Sequence, residues 1–341
     1  MLTSQLPASI GVFLIAAAVI AFLGVRLSSF ADRLADVTGF GEAFVGAVIL
    51  GGVTSLPGIV AVVTSASDGY PAMAFSTAVG GIVAQTAFLA LADLTYRDTN
   101  LEHAAASVPN MLAGALLMSL LALLLVTIHG PEFSILGIHP ATVVLVIAYV
   151  TGMRLVYRAH ERPMWQPRIT RATRVDKPDE GTVRRGRLSV LLPQFVFTAL
   201  SVAVAGWALS KSGEVIAAET GLTDSFVGGV LVAVSTSLPE LVTALAAVRI
   251  GALTLAVSGI IGGNAFDTLF AAVGDIAYRD GSIYHAVTAR EPALLSLALL
   301  MTGVLLLGML HRERQGFANI GFESALLLLL YLGGVAYLGL S

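Results

Sequence analysis

The chain has 341 residues, of which 56% are hydrophobic and only 12% are charged, and its formal net charge is −3. Soluble domains carry about 25% charged residues, so this composition excludes an ordinary soluble enzyme and predicts an all-α polytopic membrane protein. The small net charge gives no reason to expect a nucleic-acid partner, and the lack of cysteine excludes thiol catalysis and cysteine-based metal sites.

Apolar stretches recur along the whole chain, and most are about 20 residues or longer, the length that a membrane-spanning helix needs. The first stretch lacks a basic start and a clear cleavage site, so we interpret it as a retained span rather than a signal peptide. We predict ten transmembrane helices, over residues 8–27, 41–66, 71–94, 108–128, 135–157, 189–210, 223–248, 252–277, 292–311 and 321–340.

The only long polar stretch, 158–187, contains three prolines and nine Lys or Arg residues. It divides the chain into a first five-helix repeat over 1–157 and a second over 188–341. If both termini lie outside, the connector and the other inside loops hold 16 of the 19 basic residues. Because basic loops stay cytoplasmic, we predict a multi-pass protein of the cell (inner) membrane with both termini outside and a cytoplasmic connector.

The two halves are related in sequence. When the chain is shifted by 182 residues, segment 41–98 aligns without a gap on 223–280, with 21 identities in 58 positions. Five spans is an odd number, so the second copy enters the membrane in the opposite orientation. Two inverted repeats are typical of secondary transporters, whose substrate site lies near the membrane midplane between the repeats.

A polar segment, STSLPE at 235–240, lies in the middle of the apolar span 7. Pro239 has no N–H, so the helix must break there. The freed carbonyls and the hydroxyls of Thr236 and Ser237 can then serve as oxygen ligands in a polar cavity. Glu240 follows directly, and an ionisable residue at mid-span needs a cation, a proton or a partner.

Span 8 adds Asn264 and Asp267 beside paired glycines. Hard cations bind carboxylates, carbonyls and hydroxyls, so these residues and those of span 7 together form a candidate cation site. Two nearby carboxylates in a low dielectric also bind protons readily. No phosphate loop, zinc motif or dinucleotide fingerprint is visible, so we expect neither an enzyme nor an ATP-driven pump, and no resident cofactor.

TSLPE at 236–240, followed by GGNAFD at 262–267, resembles the alpha-repeat of the cation/calcium exchanger superfamily, the sodium/calcium exchangers and their relatives. The resemblance implies ten spans, exchange of Ca²⁺ for Na⁺ or H⁺, and spans 1 and 6 as sliding gate helices. It also implies four cation-ligating positions in the second repeat: Thr236, Ser237, Glu240 and Asp267.

The first repeat departs from this pattern. Thr54, Ser55 and Pro57 are present, but Gly58 stands where the resemblance implies a glutamate, and Gln85 stands opposite Asp267. One carboxylate fewer should weaken Ca²⁺ binding, and the remaining set also suits Na⁺ or H⁺. The full set of candidate ligands is Glu240, Asp267, Asn264, Thr236, Ser237, Thr54, Ser55 and Gln85.

Two functions follow as hypotheses. The first is a secondary antiporter that exchanges Ca²⁺ or another cation for Na⁺ or H⁺ by alternating access, with cations as substrates and the lipid bilayer as its setting. The second is a membrane protein that binds a cation without transporting it and has a regulatory or structural role. Asp93 and Asp275, beyond the site, are expected to form interfacial ion pairs with Arg97 and Arg279.

Overall fold

The structure, a computed structural model, describes residues 5–38, 52–96, 100–161, 165, 167, 188–312 and 321–340. Within these residues every regular element is a helix, and an isolated bridge joins Ile135 to Ile138. The prediction of an all-α polytopic membrane protein is confirmed.

The membrane-spanning helices overlap the predicted apolar stretches, with differences at their ends. Those of the first half are α1 (Leu6–Thr38), α2 (Leu56–Ser67), α3 (Pro71–Thr95), α4 (Leu101–Ala105), α5 (Val108–Ile128) and α6 (Pro140–Glu161). Those of the second half are α7 (Leu188–Thr220), α8 (Asp224–Thr236), α9 (Leu238–Arg249), α10 (Leu253–Asp267), α11 (Leu269–Ala277), α12 (Arg290–His311) and α13 (Phe322–Leu340).

Within the described ranges, eight helical segments are long and apolar enough to cross a membrane when α10 and α11 are taken together as one segment, and the bent pair α8–α9 makes a ninth. The predicted span 41–66 lies partly outside those ranges, so the total of ten stays a prediction. Most of the predicted connector 158–187 also lies outside them. Helix α6 continues to Glu161, so the connector begins as helix.

The first helix of each half is longer than its apolar stretch predicts. Helices α1 and α7 have 33 residues each, about 50 Å at a rise of about 1.5 Å per residue. The hydrocarbon core is about 30 Å thick, so both helices extend beyond it or tilt strongly. Hydropathy identifies only the part of a helix that lies in hydrocarbon, which explains the difference.

The predicted break in span 7 is present. Helix α8 ends at Thr236, α9 begins at Leu238, and the two axes differ by 44°. Pro239 lies in the first turn of α9, where a backbone N–H has no partner within the helix, so its missing N–H costs α9 no hydrogen bond. The first half repeats this geometry, because Ser55 is a turn residue between helical residues 52–54 and α2.

The two long helices cross these breaks at equivalent glycines. A Cβ added to Gly24 on α1 would overlap the ring of Pro239, and one added to Gly206 on α7 would lie 2.6 Å from the carbonyl oxygen of Pro57. Gly24 and Gly206 are separated by 182 residues, as Pro57 and Pro239 are. Each half therefore lays its first helix across the break of the other half, as a pseudo-twofold axis requires.

Helix α3 lies at the centre of the bundle, and most of its residues are buried. It packs against α8, α10 and α12, where small residues allow close approach. A Cβ on Gly80 would overlap the backbone of Gly229. Residues on α3 therefore face both halves of the molecule, which positions Gln85 for the site.

Candidate cation site

Four polar side chains from the two halves meet where the helices break. The Ser55 hydroxyl donates a hydrogen bond to Oδ1 of Asp267 (2.8 Å), and the Gln85 amide donates one to Oδ2 (2.7 Å). The same Gln85 nitrogen donates to the hydroxyl of Ser237 at 3.2 Å. All four side chains are buried. The structure thus joins two candidate ligands from each repeat in one hydrogen-bonded cluster.

Asp267 is the last residue of α10, and α11 begins two residues later at Leu269. This interruption places a buried carboxylate, 2% exposed, beside the breaks of the other helices. Both of its oxygens accept hydrogen bonds from Ser55 and Gln85, which are neutral donors. Neutral donors orient a carboxylate but do not cancel its charge, so Asp267 can still bind a cation or a proton.

Glu240 lies in the first turn of α9, where the positive end of the helix dipole favours a carboxylate. Its Oε2 atom is buried and has no hydrogen-bond partner among the described residues. The negative charge of Asp267 acts on it. Two neighbouring acids in a buried site repel each other, so a bound cation or proton stabilises the pair.

Two amide oxygens have surroundings like those of Oε2 of Glu240. Oε1 of Gln85 and Oδ1 of Asn264 are buried and, within the described ranges, have no hydrogen-bond partner. The nitrogen of Asn264 is used, because it donates to the hydroxyl of Thr86 at 2.9 Å. A buried acceptor without a partner costs about 1–3 kcal/mol. Carboxylate and amide oxygens are ligands that hard cations take, so the three atoms suit such an ion.

The two candidate threonines lie at the two helix breaks. The Thr236 hydroxyl donates to carbonyls of its own helix, those of Val232 (3.0 Å) and Ala233 (3.1 Å). Thr54 is half-buried in the helical segment before Ser55. In this conformation the Thr236 hydroxyl bonds carbonyls of its own helix, which is a common role of threonine in membrane helices.

The position of Gly58 is filled from the other half of the molecule. A Cβ added to Gly58 would lie 2.6 Å from Cε2 of Phe270. The phenylalanine ring thus occupies the space that a glutamate side chain would need at the start of α2. The equivalent residue in the second half is Glu240, so the site is asymmetric and has an acid at only one of two matched positions.

Asp93 and Asp275 act as helix caps. Asp275 accepts hydrogen bonds from His139 N (2.8 Å), Thr142 Oγ1 (2.7 Å) and Ile283 N (3.2 Å). Asp93 likewise accepts from loop and helix-start amides. The expectation of an ion pair between Asp275 and Arg279 is therefore wrong, because groups at the start of α6 already use the carboxylate. Arg97 lies outside the described residues.

Sequence reasoning missed three residues around the site. Thr86 accepts the Asn264 hydrogen bond, and its identity with Thr268 in the repeat alignment could have identified it. Phe270 carries no polar signal that would have indicated its role. Tyr149 is 2% exposed, and its ring packs edge-on against Phe266, the residue before Asp267. It comes from α6, far away in the sequence, so only the tertiary structure could place it there.

Two inverted halves, paired helix breaks and buried polar oxygens at their junction are the features of a membrane exchanger. Residues 8–157 and 190–340 match the family described as sodium/calcium exchanger protein. These segments make up most of the chain, so the chain belongs to this family, and the resemblance to the cation/calcium exchanger superfamily is confirmed.

Three solved structures share the fold. The H⁺/Ca²⁺ exchanger CAX is 15% identical, with a TM-score of 0.68 over 97% of this chain and 85% of that one. The sodium-calcium exchanger NCX_Mj is 19% identical, with a TM-score of 0.60 over 97% and 99%. YfkE is 16% identical, with a TM-score of 0.62 over 99% and 98%. No curated protein matches the chain.

Proposed function

We propose that this protein is a secondary-active antiporter that exchanges Ca²⁺ or another cation for Na⁺ or H⁺ through one site near the membrane midplane. The observation that carries the proposal is the set of buried oxygens of Glu240, Gln85 and Asn264 that have no hydrogen-bond partner in the described part of the chain, together with the buried carboxylate of Asp267 to which Gln85 donates. Such a set is costly in an apolar core unless a positive ion visits it. Membership of the exchanger family supports the same function.

Charge determines which ions this site suits. Glu240 and Asp267 supply a formal charge of −2 when both are ionised, which one divalent cation or two monovalent cations would neutralise. Within the described residues no three acidic, histidine or cysteine side chains form a metal cluster, so neutral oxygens must complete the shell. Ser55, Ser237, Gln85 and Asn264 are the proposed neutral ligands, with Thr54 and Thr236 at the breaks. The ions are substrates here, and we propose no resident cofactor.

The pseudo-twofold arrangement supports alternating access. Helix α1 crosses the break at Pro239, and α7 crosses the equivalent break at Pro57. Because the two halves are inverted copies, closing the path on one side costs about as much as closing it on the other. We propose that these two long helices move across the breaks as the site opens to each side, with 158–187 on the cytoplasmic side.

A flux assay tests the proposal. Purified protein in proteoliposomes should take up ⁴⁵Ca²⁺ when an outward Na⁺ or H⁺ gradient is imposed, and a panel of other cations should compete. Glu240→Gln keeps the size of the side chain and removes its charge. We expect at least about a tenfold loss of uptake, because a hydrogen bond or ligand contact to a charged group contributes about 1.5–3 kcal/mol.

The matched control is Glu132→Gln, which removes one carboxylate from an exposed loop between α5 and α6. This variant should transport like the wild type. Gradient-driven flux that is the same in Glu240→Gln and in the wild type would refute the site assignment.

A second candidate function is a cation-binding membrane protein that does not transport. The observation that favours it is that the Phe270 ring fills the space beside Gly58, so only one of the two matched positions carries an acid. Titration calorimetry would show cation binding, while proteoliposomes of the same preparation would show no gradient-driven flux. Flux in the wild type that depends on Glu240 would exclude this function.

A further inference from the structure

A second group of buried acids lies at one end of the bundle, away from the proposed cation site. Asp93 near the end of α3, Glu102 on α4 and Glu323 in the first turn of α13 are each 0% exposed. Asp93 follows Gln85 by eight residues on the same helix, about 12 Å along the axis. The group is therefore a separate feature of the structure.

Asp93 and Glu102 have different surroundings. Asp93 accepts hydrogen bonds from Leu101 N (2.7 Å) and Gly321 N (3.4 Å), so its carboxylate holds the first residue of α4 and the residue that precedes α13. Glu102 accepts from the Ser324 hydroxyl at 3.4 Å through Oε1, while its buried Oε2 has no hydrogen-bond partner among the described residues. The charged neighbours that act on Glu102 are Asp93 and Glu323, both acids.

The other half of the molecule shows what the fold needs at this place. Asp275, the equivalent of Asp93, also caps a loop and a helix start. The equivalent of Glu102 is Tyr284, whose hydroxyl lies 2.9 Å from that of Thr142. The equivalent of Glu323 is Ala141. The capping function therefore works without either glutamate, and the two extra acids need another explanation.

The packing makes room for Glu323. A Cβ on Gly308 of α12 would lie 2.7 Å from Cγ of Glu323, and one on Gly321 would lie 2.5 Å from its carboxylate. The residue equivalent to Gly321 in the other half is His139, which packs against Tyr284 with ring centroids 5.5 Å apart. A side chain at position 308 or 321 would take the space of the Glu323 carboxyl group, so both positions are occupied by glycine.

We infer that Glu102 and Glu323 share a bound proton, forming a proton-binding site that is distinct from the proposed cation site. Two buried carboxyl groups with like charge cannot both ionise cheaply, and one proton held between them removes the repulsion. A metal ion fits the group less well, because no three acids of the described residues are arranged as metal ligands. Burial, and then the negative charges of Asp93 and Glu323, raise the pKa of Glu102 well above its ordinary value.

The other titratable groups nearby are His103 on α4, and His311 and Arg312 at the end of α12. His103 Nδ1 lies 2.7 Å from the carbonyl oxygen of Arg312, whose guanidinium in turn donates to the carbonyl oxygen of His103 at 3.3 Å. Helix α10, which also packs against α4, carries no acid or base before Asp267 at its far end.

The sign of the pH effect follows from the raised pKa. The folded state binds the proton more tightly than the unfolded state does, in which a glutamate has a pKa of about 4.3. This contribution to stability is complete below that value and is lost as the pH rises through the raised pKa of Glu102. The protein should therefore become less stable when the pH rises from mildly acidic to alkaline values.

Infrared spectroscopy tests the shared proton directly. Purified wild-type protein at neutral pH should show the carbonyl-stretch band of buried protonated carboxyl groups. In the Glu102→Gln/Glu323→Gln double variant, this band should lose the intensity that one protonated carboxyl group contributes. The control Glu132→Gln removes an exposed acid and should leave this band unchanged. A double variant with the full wild-type band would overturn the inference.

Thermal unfolding against pH gives a second readout. The unfolding midpoint of the wild type should fall with rising pH, and the fall should be smaller in the double variant, which keeps the two acids of the cation site. Glu323→Ala copies the residue at the equivalent position of the other half, so it keeps the inference testable if the double variant does not fold. A wild-type profile that parallels those of the variants would overturn the inference. Neither readout needs transport, so the outcome is independent of the proposed antiport.

Discussion

Replacing Gly206 by alanine tests the crossing of α7 over the helix break at Pro57. The new Cβ would lie 2.6 Å from the carbonyl oxygen of Pro57 and 3.1 Å from its Cα. Both atoms belong to the backbone, so neither can turn away as a side chain would. Overpacking costs about 1–3 kcal/mol, and we take the upper end for a backbone contact. Alanine has a higher helix propensity than glycine, which offsets about 1 kcal/mol of this cost. The free energy of unfolding should therefore fall by about 2 kcal/mol.

The matched control is Gly11→Ala on α1, where an added Cβ meets no atom of the described residues within 4 Å. That variant should gain up to about 1 kcal/mol, so the two should differ by about 3 kcal/mol. At about 2 °C per kcal/mol for a large domain, their unfolding midpoints should differ by about 6 °C. Thermal unfolding in detergent, followed by size-exclusion chromatography, measures this. Equal midpoints for Gly206→Ala and Gly11→Ala would refute the crossing geometry.

Two further predictions concern the cation site. Gly58→Glu alone should destabilise the protein, because the ring of Phe270 fills the space that the new side chain needs. The double variant Gly58→Glu/Phe270→Ala adds one carboxylate and makes room for it, so calorimetry should show Ca²⁺ binding about tenfold tighter than in the wild type, and unchanged affinity would contradict this. Thr86→Val should lower the free energy of unfolding by about 1–3 kcal/mol and weaken cation binding, because Asn264 loses its acceptor. Thr77→Val removes a hydroxyl bonded within its own helix, so an equal loss there would contradict the role of Thr86.

The helix breaks illustrate what local sequence can predict. A proline inside an apolar span forces a break wherever that span lies in the fold, because the missing N–H and the ring act on the helix that contains them. Pro239 therefore located the bend between α8 and α9, and the repeat alignment extends the same expectation to Pro57. Helix ends were harder to predict, because a helix can continue beyond the hydrocarbon region without any signal in hydropathy.

Side-chain partners illustrate what local sequence cannot predict. Asp267 and Gln85 were matched by the repeat, yet their direct hydrogen bond depends on how the two halves face each other. The partners of the Thr236 hydroxyl, which are carbonyls of its own helix, could not be told from its place in the sequence. Phe270 at the Gly58 position could not be foreseen, because an apolar residue signals burial but not the neighbour against which it packs.

The order of residues alone determined the membrane class, the two inverted halves and the acids at the centre, because hydropathy, repetition and the cost of charge in hydrocarbon are local properties of a chain. Only the tertiary structure decided which oxygens of the described residues lack partners, which glycine is covered by a ring, and that Glu102 is buried against the start of α13, which carries Glu323. Those are contacts between segments far apart in the chain, and they arise only when helices pack.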